Sequence, residues 1–307
     1  MHIKKINLSI MPLVALSFLV NCGSKETPWY LDNNYLSSLK SEDVTKAGGV
    51  IKTIKVNNQI HRVRLIGVDH DDLSDGSAKA HTTWKFVSYI SDTNGYSLAT
   101  PWNWENGEES FSDDFPNSNL RKAIDGCGIG KIVWYEKGSP TKSTIYTTSV
   151  FDMLPNDLKG VLKEVKKETV TSASYELNTY NTKLFPLSYR EMTGKSETRA
   201  ADEGSTYSYY KGMTGDRDIN RLEHQVKWHE GASDTWTKIT DKELETAQAW
   251  NYAGFNSYVE YYGGYSWLRS PVTNPLARSA FQLSVGGNFL TYSIYQYALA
   301  VSPAFCI

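Results

Sequence analysis

The chain has 307 residues, with 32 basic and 34 acidic side chains, and its formal charge at neutral pH is −2. This balance lacks the basic surplus of proteins that bind nucleic acids, so we expect no nucleic-acid partner. Beyond residue 21 no apolar run approaches the roughly 20 residues that a membrane-spanning helix needs, which excludes a domain built from such helices.

The first 21 residues have the layout of a secretory signal peptide. Lys4 and Lys5 precede an apolar run over residues 6–20, which is too short to span a bilayer. Cys22 follows, and a cysteine at this place resembles the lipobox of bacterial lipoproteins, whose acylated thiol begins the mature protein. Asn21 departs from the small residue usual there, and the alternative is an ordinary signal peptide with Cys22 incidental. We expect residues 1–21 to be removed and a lipid on Cys22 to be the membrane contact.

Residues 22–34 are polar and are typical of a lipidated tether, and residues 35–307 are expected to form a single domain. A helix is predicted over residues 35–46, before two glycines. Residues 50–56 and 60–68 alternate β-branched and polar side chains around Asn57 and Asn58. Because asparagine accepts positive φ, this pattern predicts a β-hairpin.

An acidic loop follows the hairpin, and its weak candidates for metal ligands are Asp69, Asp71 and Asp75. Calcium takes several oxygen ligands from such loops, but the spacing does not fit an EF-hand. We therefore favour a structural role, in which these side chains cap backbone N–H groups before a helix over residues 79–90. No metal and no cofactor are expected.

The clearest helical period begins near residue 154, where Leu158, Val161, Leu162 and Val165 recur at i, i+3, i+4 and i+7. A capping-box pattern at residues 240–243 predicts a further short helix directly after it.

Strands are expected again near the end of the chain, over residues 280–285, 288–294 and 298–307. Antiparallel strands at both ends, with helices and long loops between them, indicate an α+β fold. We expect the first and last strands to share a sheet.

Two cysteines follow Cys22, at positions 127 and 306. In an exported protein, Cys127 and Cys306 could form one disulfide, or each could be a buried small hydrophobic residue. The sequence leaves both alternatives open.

Aromatic residues are abundant, with 9 Trp, 20 Tyr and 10 Phe. Tyr258, Tyr261 and Tyr262 lie among glycines in a segment with neither helical nor strand period, so we expect exposed rings that contact a ligand. The alternative is that tyrosines fill half-buried strand positions.

Six sequence blocks, in this order, resemble the bacterial domain-of-unknown-function family number 6273. They are residues 66–77, 154–159, 182–188, 203–211, 267–271 and 301–307. The resemblance runs from about residue 50 to the end, and it implies no assigned activity.

The C-terminal layout has a Trp-Leu-Arg-Ser turn at residues 267–270, a glycine-turned hairpin and a closing aromatic strand. This layout resembles the end of C-type-lectin-like domains, including those of the formylglycine-generating enzyme. Residues 272–281 contain no cysteine, so the resemblance does not imply that enzyme's oxidase activity. Trp267 and Arg269 are candidate ligand contacts. The alternative is a core tryptophan and a buried arginine tied to backbone carbonyls or a loop carboxylate.

The sequence therefore predicts a lipoprotein of the bacterial cell envelope, exposed outside the cytoplasm. Its lipid would lie in the outer membrane or in the outer face of the cytoplasmic membrane. We expect a non-enzymatic binding domain for a glycan or protein ligand. The alternative is an extracytoplasmic enzyme, most plausibly a carbohydrate hydrolase.

Overall fold

The structure is a computed structural model. The structure describes residues 27–46, 49–86, 90–91, 98–102, 115–128, 132, 134–135, 143–144, 148–170, 176–194, 203–211, 265–271, 279–284, 289–293 and 298–307. Several predicted features lie outside these ranges: the signal peptide expected at residues 1–21, Cys22, the three tyrosines at 258, 261 and 262, and the helix expected after residue 243.

A five-stranded antiparallel sheet joins the two ends of the described chain. Its strands, in spatial order, are β1 (Ile51–Val56), β2 (Gln59–Val68), β3 (Thr82–Phe86), β14 (Ala304–Cys306) and β9 (Leu184–Phe185). The first and last strands of the fold thus share a sheet, as predicted.

The turn between β1 and β2 is formed by Asn57 and Asn58, at φ 49° and 64°. Two consecutive positive φ angles give a turn whose twist matches that of the flanking strands. The predicted hairpin is confirmed, with Val56 paired to Gln59 across the turn.

A second sheet has seven strands and includes the predicted C-terminal hairpin. In spatial order they are β12 (Phe289–Ser293), β11 (Ser279–Ser284), β10 (Tyr265–Pro271), β13 (Ala298–Ala300), β4 (Ala99–Pro101), β5 (Trp134–Tyr135) and β6 (Ser143–Thr144). The β10–β13 pair is parallel and the other pairs are antiparallel. A separate two-stranded ribbon pairs β7 (Val165–Val170) with β8 (Leu177–Thr182).

Short helices connect and cover the sheets, which confirms the α+β class. The α-helices are α1 (Asn33–Ser38), α2 (Ser41–Thr45), α3 (Asn119–Asp125), α4 (Val150–Met153), α5 (Asn156–Val161) and α6 (Tyr189–Thr193). The 3-10 helices are η1 (Trp29–Leu31), η2 (Phe115–Asn117) and η3 (Ser208–Tyr210). Within the described ranges, no helix has the length and apolarity needed to cross a membrane.

The helix predicted over residues 79–90 is wrong, because residues 82–86 form β3 instead. Every residue of β3 is buried, since the strand lies between β2 and β14 in the sheet. Thr82, Thr83 and Lys85 are buried together with Trp84 and Phe86, so the apolar positions do not mark the buried ones and the sequence shows no clear strand period.

The helix predicted from residue 154 is only half right. α5 ends at Val161, and β7 begins four residues later, where Val165, Lys167 and Thr169 are buried while Lys166 is exposed. This alternation is a strand period, which the helical spacing of Leu158 and Val165 masked. The helix expected over residues 35–46 is also interrupted, between α1 and α2.

Part of the expected tether packs on the domain. Trp29 donates its indole N–H to the carbonyl of Thr53 at 2.9 Å and packs against the Trp84 ring with centroids 4.4 Å apart. Tyr30 is buried and donates its hydroxyl to Asp157 at 3.1 Å. The fold therefore includes residues 29–34, which corrects the predicted boundary at residue 35.

Candidate functional site

A polar pocket of about 330 Å³ opens beside β7. Three segments surround it: the acidic loop after β2, the start of α6, and the residues before η3. Its lining is mostly charged and consists of His70, Asp71, Asp72, Lys79, Lys166, Lys167, Glu168, Arg190, Glu191, Gly204, Ser205 and Arg269.

The acidic loop brings His70 and Asp71 to the pocket. Asp69 takes a positive φ of 48°, which turns the chain sharply at the end of β2. The His70 ring then stacks on Tyr207 with centroids 3.9 Å apart, and its Nε2 lies 3.1 Å from the Ser205 carbonyl. Gly67 permits this packing, because a Cβ there would lie 2.9 Å from the Tyr207 ring.

The pocket floor is a buried network of two cations and two carboxylates. Lys167 Nζ lies 2.6 Å from Asp71 Oδ1 and 2.6 Å from Glu191 Oε1. Arg269 Nη1 lies 2.5 Å from Glu191 Oε2. All four side chains are buried. Because each buried charge has an opposite partner, the desolvation cost of the group is offset by direct contact.

Hydroxyl groups complete the network around Asp71. Tyr207 donates to both carboxylate oxygens at 2.9 and 3.0 Å, and Thr83 donates to Oδ2 at 2.5 Å. Lys167 also donates to the Tyr207 hydroxyl at 2.9 Å. Asp71 is therefore engaged by several protein groups and holds the acidic loop to β3, to β7 and to the residue that precedes η3.

Arg269 binds the backbone around the pocket. It donates to the carbonyls of Glu168 at 2.9 Å, Pro186 at 3.0 Å and Glu203 at 3.1 Å. With the ion pair to Glu191, these bonds satisfy the planar guanidinium in several directions. Arg269, in β10, is thus bonded to β7, to α6, to the residue after β9 and to Glu203 before η3.

The pKa values of the two floor carboxyls are lowered. Burial opposes ionisation of Asp71, but the charges of Lys167 and His70 and the bonds it accepts outweigh burial and hold its pKa far below the ordinary value. For Glu191, Arg269 and Lys167 likewise outweigh burial and lower the pKa. Both groups are therefore carboxylates at neutral pH.

Burial favours the neutral form of two other groups, one beside the pocket and one lining it. Burial raises the pKa of Glu203 although Arg269 favours its ionised form. Burial also lowers the pKa of His70, which favours the neutral ring. Glu203 accepts a bond from the Val170 N–H at 2.8 Å and one from Thr169 at 3.2 Å, and it pairs with the Ser270 hydroxyl. Its carboxyl group is therefore enclosed by protein.

The outer edge of β7, a strand whose Lys166, Lys167 and Glu168 line the pocket, carries two backbone groups with no hydrogen-bond partner among the described residues. The N–H of Lys166 donates to the Asp72 carbonyl at 2.9 Å, and the N–H of Val170 donates to Glu203. Strand alternation points the intervening Glu168 N–H and Lys166 C=O to the same edge. Neither group has a hydrogen-bond partner within the described part of the chain.

Comparison with known proteins assigns the chain to a family. A family model described as "Domain of unknown function (DUF6273)" matches residues 90–307. The chain belongs to this family. The match includes the five resembling blocks from residue 154 onward, whereas the block at residues 66–77 precedes it. No curated protein and no solved structure gives a match.

In this DUF6273 chain, the two described candidates for ligand contact lie in the interior. Trp267 is 2% exposed, donates its indole N–H to the Thr100 carbonyl at 2.8 Å and packs edge-on against Trp102. Arg269 is fully buried and holds backbone carbonyls and Glu191. The alternative of a core tryptophan and a buried structural arginine is what the structure shows. Tyr258, Tyr261 and Tyr262 lie outside the described residues.

The two later cysteines of the DUF6273 chain are free thiols, so the disulfide considered above is not formed. Cys306 is buried in β14, with its sulfur 3.4 Å from Asp71 Oδ2 and from the Thr83 hydroxyl. Cys127 is exposed after α3. The two residues thus occupy different environments, and burial with the nearby Asp71 charge raises the pKa of the Cys306 thiol.

The three candidate metal ligands do not converge on one point. Asp69 pairs with His81 at 3.0 Å, Asp71 belongs to the buried network, and Asp75 accepts bonds from the N–H and hydroxyl of Ser77 at 2.9 and 2.7 Å. Among the described residues, no group of three or more His, Cys, Asp or Glu is arranged to hold a metal ion. The favoured structural role agrees with this geometry, although the helix it was meant to cap is absent.

Sequence reasoning missed Lys167, Glu191, Glu203 and Tyr207. Glu191 follows Ser188 in a capping box, with both reciprocal bonds formed, and this pattern was visible in the sequence. Lys167 at a buried strand position had no such signal, because the helical spacing of Leu158, Val161, Leu162 and Val165 predicted a helix there. Gly204 also belongs to the site, since a Cβ there would lie 2.8 Å from Glu191 Oε1.

Proposed function

We propose that the chain is a bacterial lipoprotein, anchored through Cys22 and exposed outside the cytoplasm. Its DUF6273 domain binds an extracellular ligand at the polar pocket without altering it chemically. The lipobox-like start of the sequence supports the anchor, and the pocket beside β7 supports the binding role. A C-type-lectin-like architecture and a tyrosine-rich contact surface at residues 258–262 are part of the same proposal.

The observation that carries the binding role is the fixed floor of the pocket. Lys167, Asp71, Glu191 and Arg269 hold one another at 2.5–2.6 Å and line the pocket together with Lys166 and Glu168 of β7. A site whose polar groups are already held in place loses little conformational freedom when a ligand binds. Such preorganisation favours recognition of one particular ligand.

The alternative function, hydrolysis of a carbohydrate, would require an accessible carboxylic acid beside an ionised carboxylate. The opposite pKa shifts of Glu203 and Glu191 have that general form. However, Glu203 is 1% exposed, and three protein donors or acceptors occupy its carboxyl group. A group enclosed in this way has no route for proton transfer to a substrate, which supports binding over hydrolysis.

The binding role is tested with the purified full-length chain on a glycan array and on immobilised extracellular matrix proteins. Ser205 is exposed at the pocket opening. Ser205→Trp should fill the opening and abolish retention of the ligand, whereas Ser205→Ala, the matched control, should keep it. Equal retention by Ser205→Trp and the wild type would place the binding site elsewhere. Release of cleaved sugar by the wild type would instead support the hydrolase.

A further inference from the structure

The two unbonded backbone groups on the outer edge of β7 limit the size of a ligand that can bind there. On one side of the open groups, β7 pairs with the acidic loop through the bridge between Leu73 and Val165. On the other side, the Val170 N–H is bonded to the Glu203 side chain at 2.8 Å. One donor, the Glu168 N–H, and one acceptor, the Lys166 C=O, remain between these closed positions.

A single open donor and acceptor cannot receive an extended peptide. A peptide that added to β7 as a strand would need several successive backbone groups along the edge. The acidic loop and Glu203 already occupy the neighbouring positions. The pocket volume of about 330 Å³ lies at the small end of the usual range for ligand sites, about 300–1,000 Å³. Both facts favour one compact unit over a polymer segment lying along the strand.

The charges around the pocket favour an acidic ligand. The four floor charges cancel, because Lys167 and Arg269 balance Asp71 and Glu191. The remaining lining has three cations, on Lys79, Lys166 and Arg190, and two acids, on Asp72 and Glu168. The surplus is one positive charge, and the free backbone donor at Glu168 adds a partner for an oxyanion.

We propose that the pocket binds a single acidic sugar unit. Its carboxylate accepts the Glu168 N–H and is attracted by the cations of the opening, and one of its hydroxyls donates to the Lys166 C=O. A sugar supplies both kinds of group on one compact ring. This inference rests on the proposed function, because it assumes that the pocket is the binding site.

The test measures binding of D-glucuronate and D-glucose to the full-length chain by calorimetry. Glucuronate should bind, and glucose should bind at least about tenfold more weakly, since it lacks the charged partner of the N–H donor. Acetate serves as the control for a carboxylate without a ring and should bind more weakly than glucuronate. Binding of acetate as tightly as glucuronate would overturn the sugar assignment.

Glu168→Pro removes the open N–H and breaks no bond of the β7–β8 ladder, because the N–H groups at 165, 167 and 169 face β8. It should weaken glucuronate binding about tenfold or more. Glu168→Ala is the matched control: it keeps the N–H, and it should bind glucuronate at least as tightly as the wild type. Equal affinities for Glu168→Pro and Glu168→Ala, with both folded, would overturn the proposed contact.

A second pair of variants applies if Glu168→Pro fails to fold. Arg190→Gln should weaken glucuronate binding, and Arg190→Lys, which keeps the charge, should retain most of it. Equal binding of glucose and glucuronate, lost in Ser205→Trp, would overturn the acidic ligand and leave the pocket as a binding site. If a ligand is retained on the array equally by the wild type and Ser205→Trp, both the pocket and this inference are wrong.

Discussion

Lys167 Nζ lies 2.6 Å from Asp71 Oδ1, although the two residues are 96 positions apart in the chain. The contact joins the β7–β8 ribbon to the loop that follows β2, and it places Asp71 beneath the pocket. Both side chains are 3% exposed. A charge pair buried this deeply depends on both partners, because either one alone would be an uncompensated charge in the interior.

Lys167→Met should therefore destabilise the domain strongly. The substitution leaves Asp71 without its cation and Glu191 with Arg269 alone, and loss of one partner of a buried pair costs about 3–5 kcal/mol. Chemical denaturation measures the free energy of unfolding. The matched control is Lys166→Met, one residue earlier and exposed, which should change that free energy by no more than about 0.5 kcal/mol. Equal stabilities for the two variants would contradict the structural role of the network.

The network also makes the free energy of unfolding depend on pH. The pKa values of Asp71 and Glu191 are lower in the folded protein than their ordinary values. Groups with lowered folded pKa values stabilise the fold above the unfolded values, about 3.9 for Asp and 4.3 for Glu, and this stabilisation is lost as the pH falls below them. Unfolding free energies measured from pH 6 downward should fall below about pH 4. The fall should be much smaller in Lys167→Met, which has already lost the pairing.

Glu203 changes the pH dependence of stability in the opposite direction, because its pKa in the folded protein is raised. The protonated form is favoured in the fold, so stability declines as the pH rises from the unfolded value, about 4.3, toward the folded one. Glu203→Gln is uncharged and can still accept the Val170 N–H while it donates to Ser270. This variant should remove the decline and be at least as stable as the wild type at pH 7. A loss of several kcal/mol would show that the ionised group is the one that fits.

Much of the fold could be predicted from local sequence, and the site could not. The hairpin at Asn57 and Asn58 and the C-terminal strands follow from alternation and turn residues, which act over a few positions. β3 was predicted to be a helix, because its burial comes from a strand on each side, and one of these, β14, lies at the far end of the sequence. Lys167 joins Asp71 and Glu191 only after three segments have met. The sequence lists these three residues, but it does not show that the fold brings them together.

The membrane anchor is tested by Cys22→Ala. If a lipid on this cysteine is the membrane contact, the variant should appear in the soluble fraction after cell lysis, whereas the wild type should require detergent. Metabolic labelling with a fatty-acid analogue should mark the wild type only. Cys127→Ala is the matched control and should remain in the membrane fraction. A labelled, membrane-bound Cys22→Ala protein would contradict the lipoprotein assignment.

That the tyrosine rings of the segment before β10 are exposed and contact a ligand remains a prediction from sequence. Tyr258, Tyr261 and Tyr262 lie near paired glycines at 263 and 264, a composition unsuited to a buried helix or an alternating strand. Exposed rings of this kind commonly dominate the energy of a recognition surface. Replacing all three with alanine should leave the melting temperature of the full-length chain nearly unchanged and weaken retention on the array.

Trp267→Ala is the contrasting variant, since it removes a core ring that is 2% exposed and should cost about 3–5 kcal/mol of stability. If the triple variant is destabilised as much as Trp267→Ala, the three rings belong to the core, and ligand contact in this protein is confined to other residues.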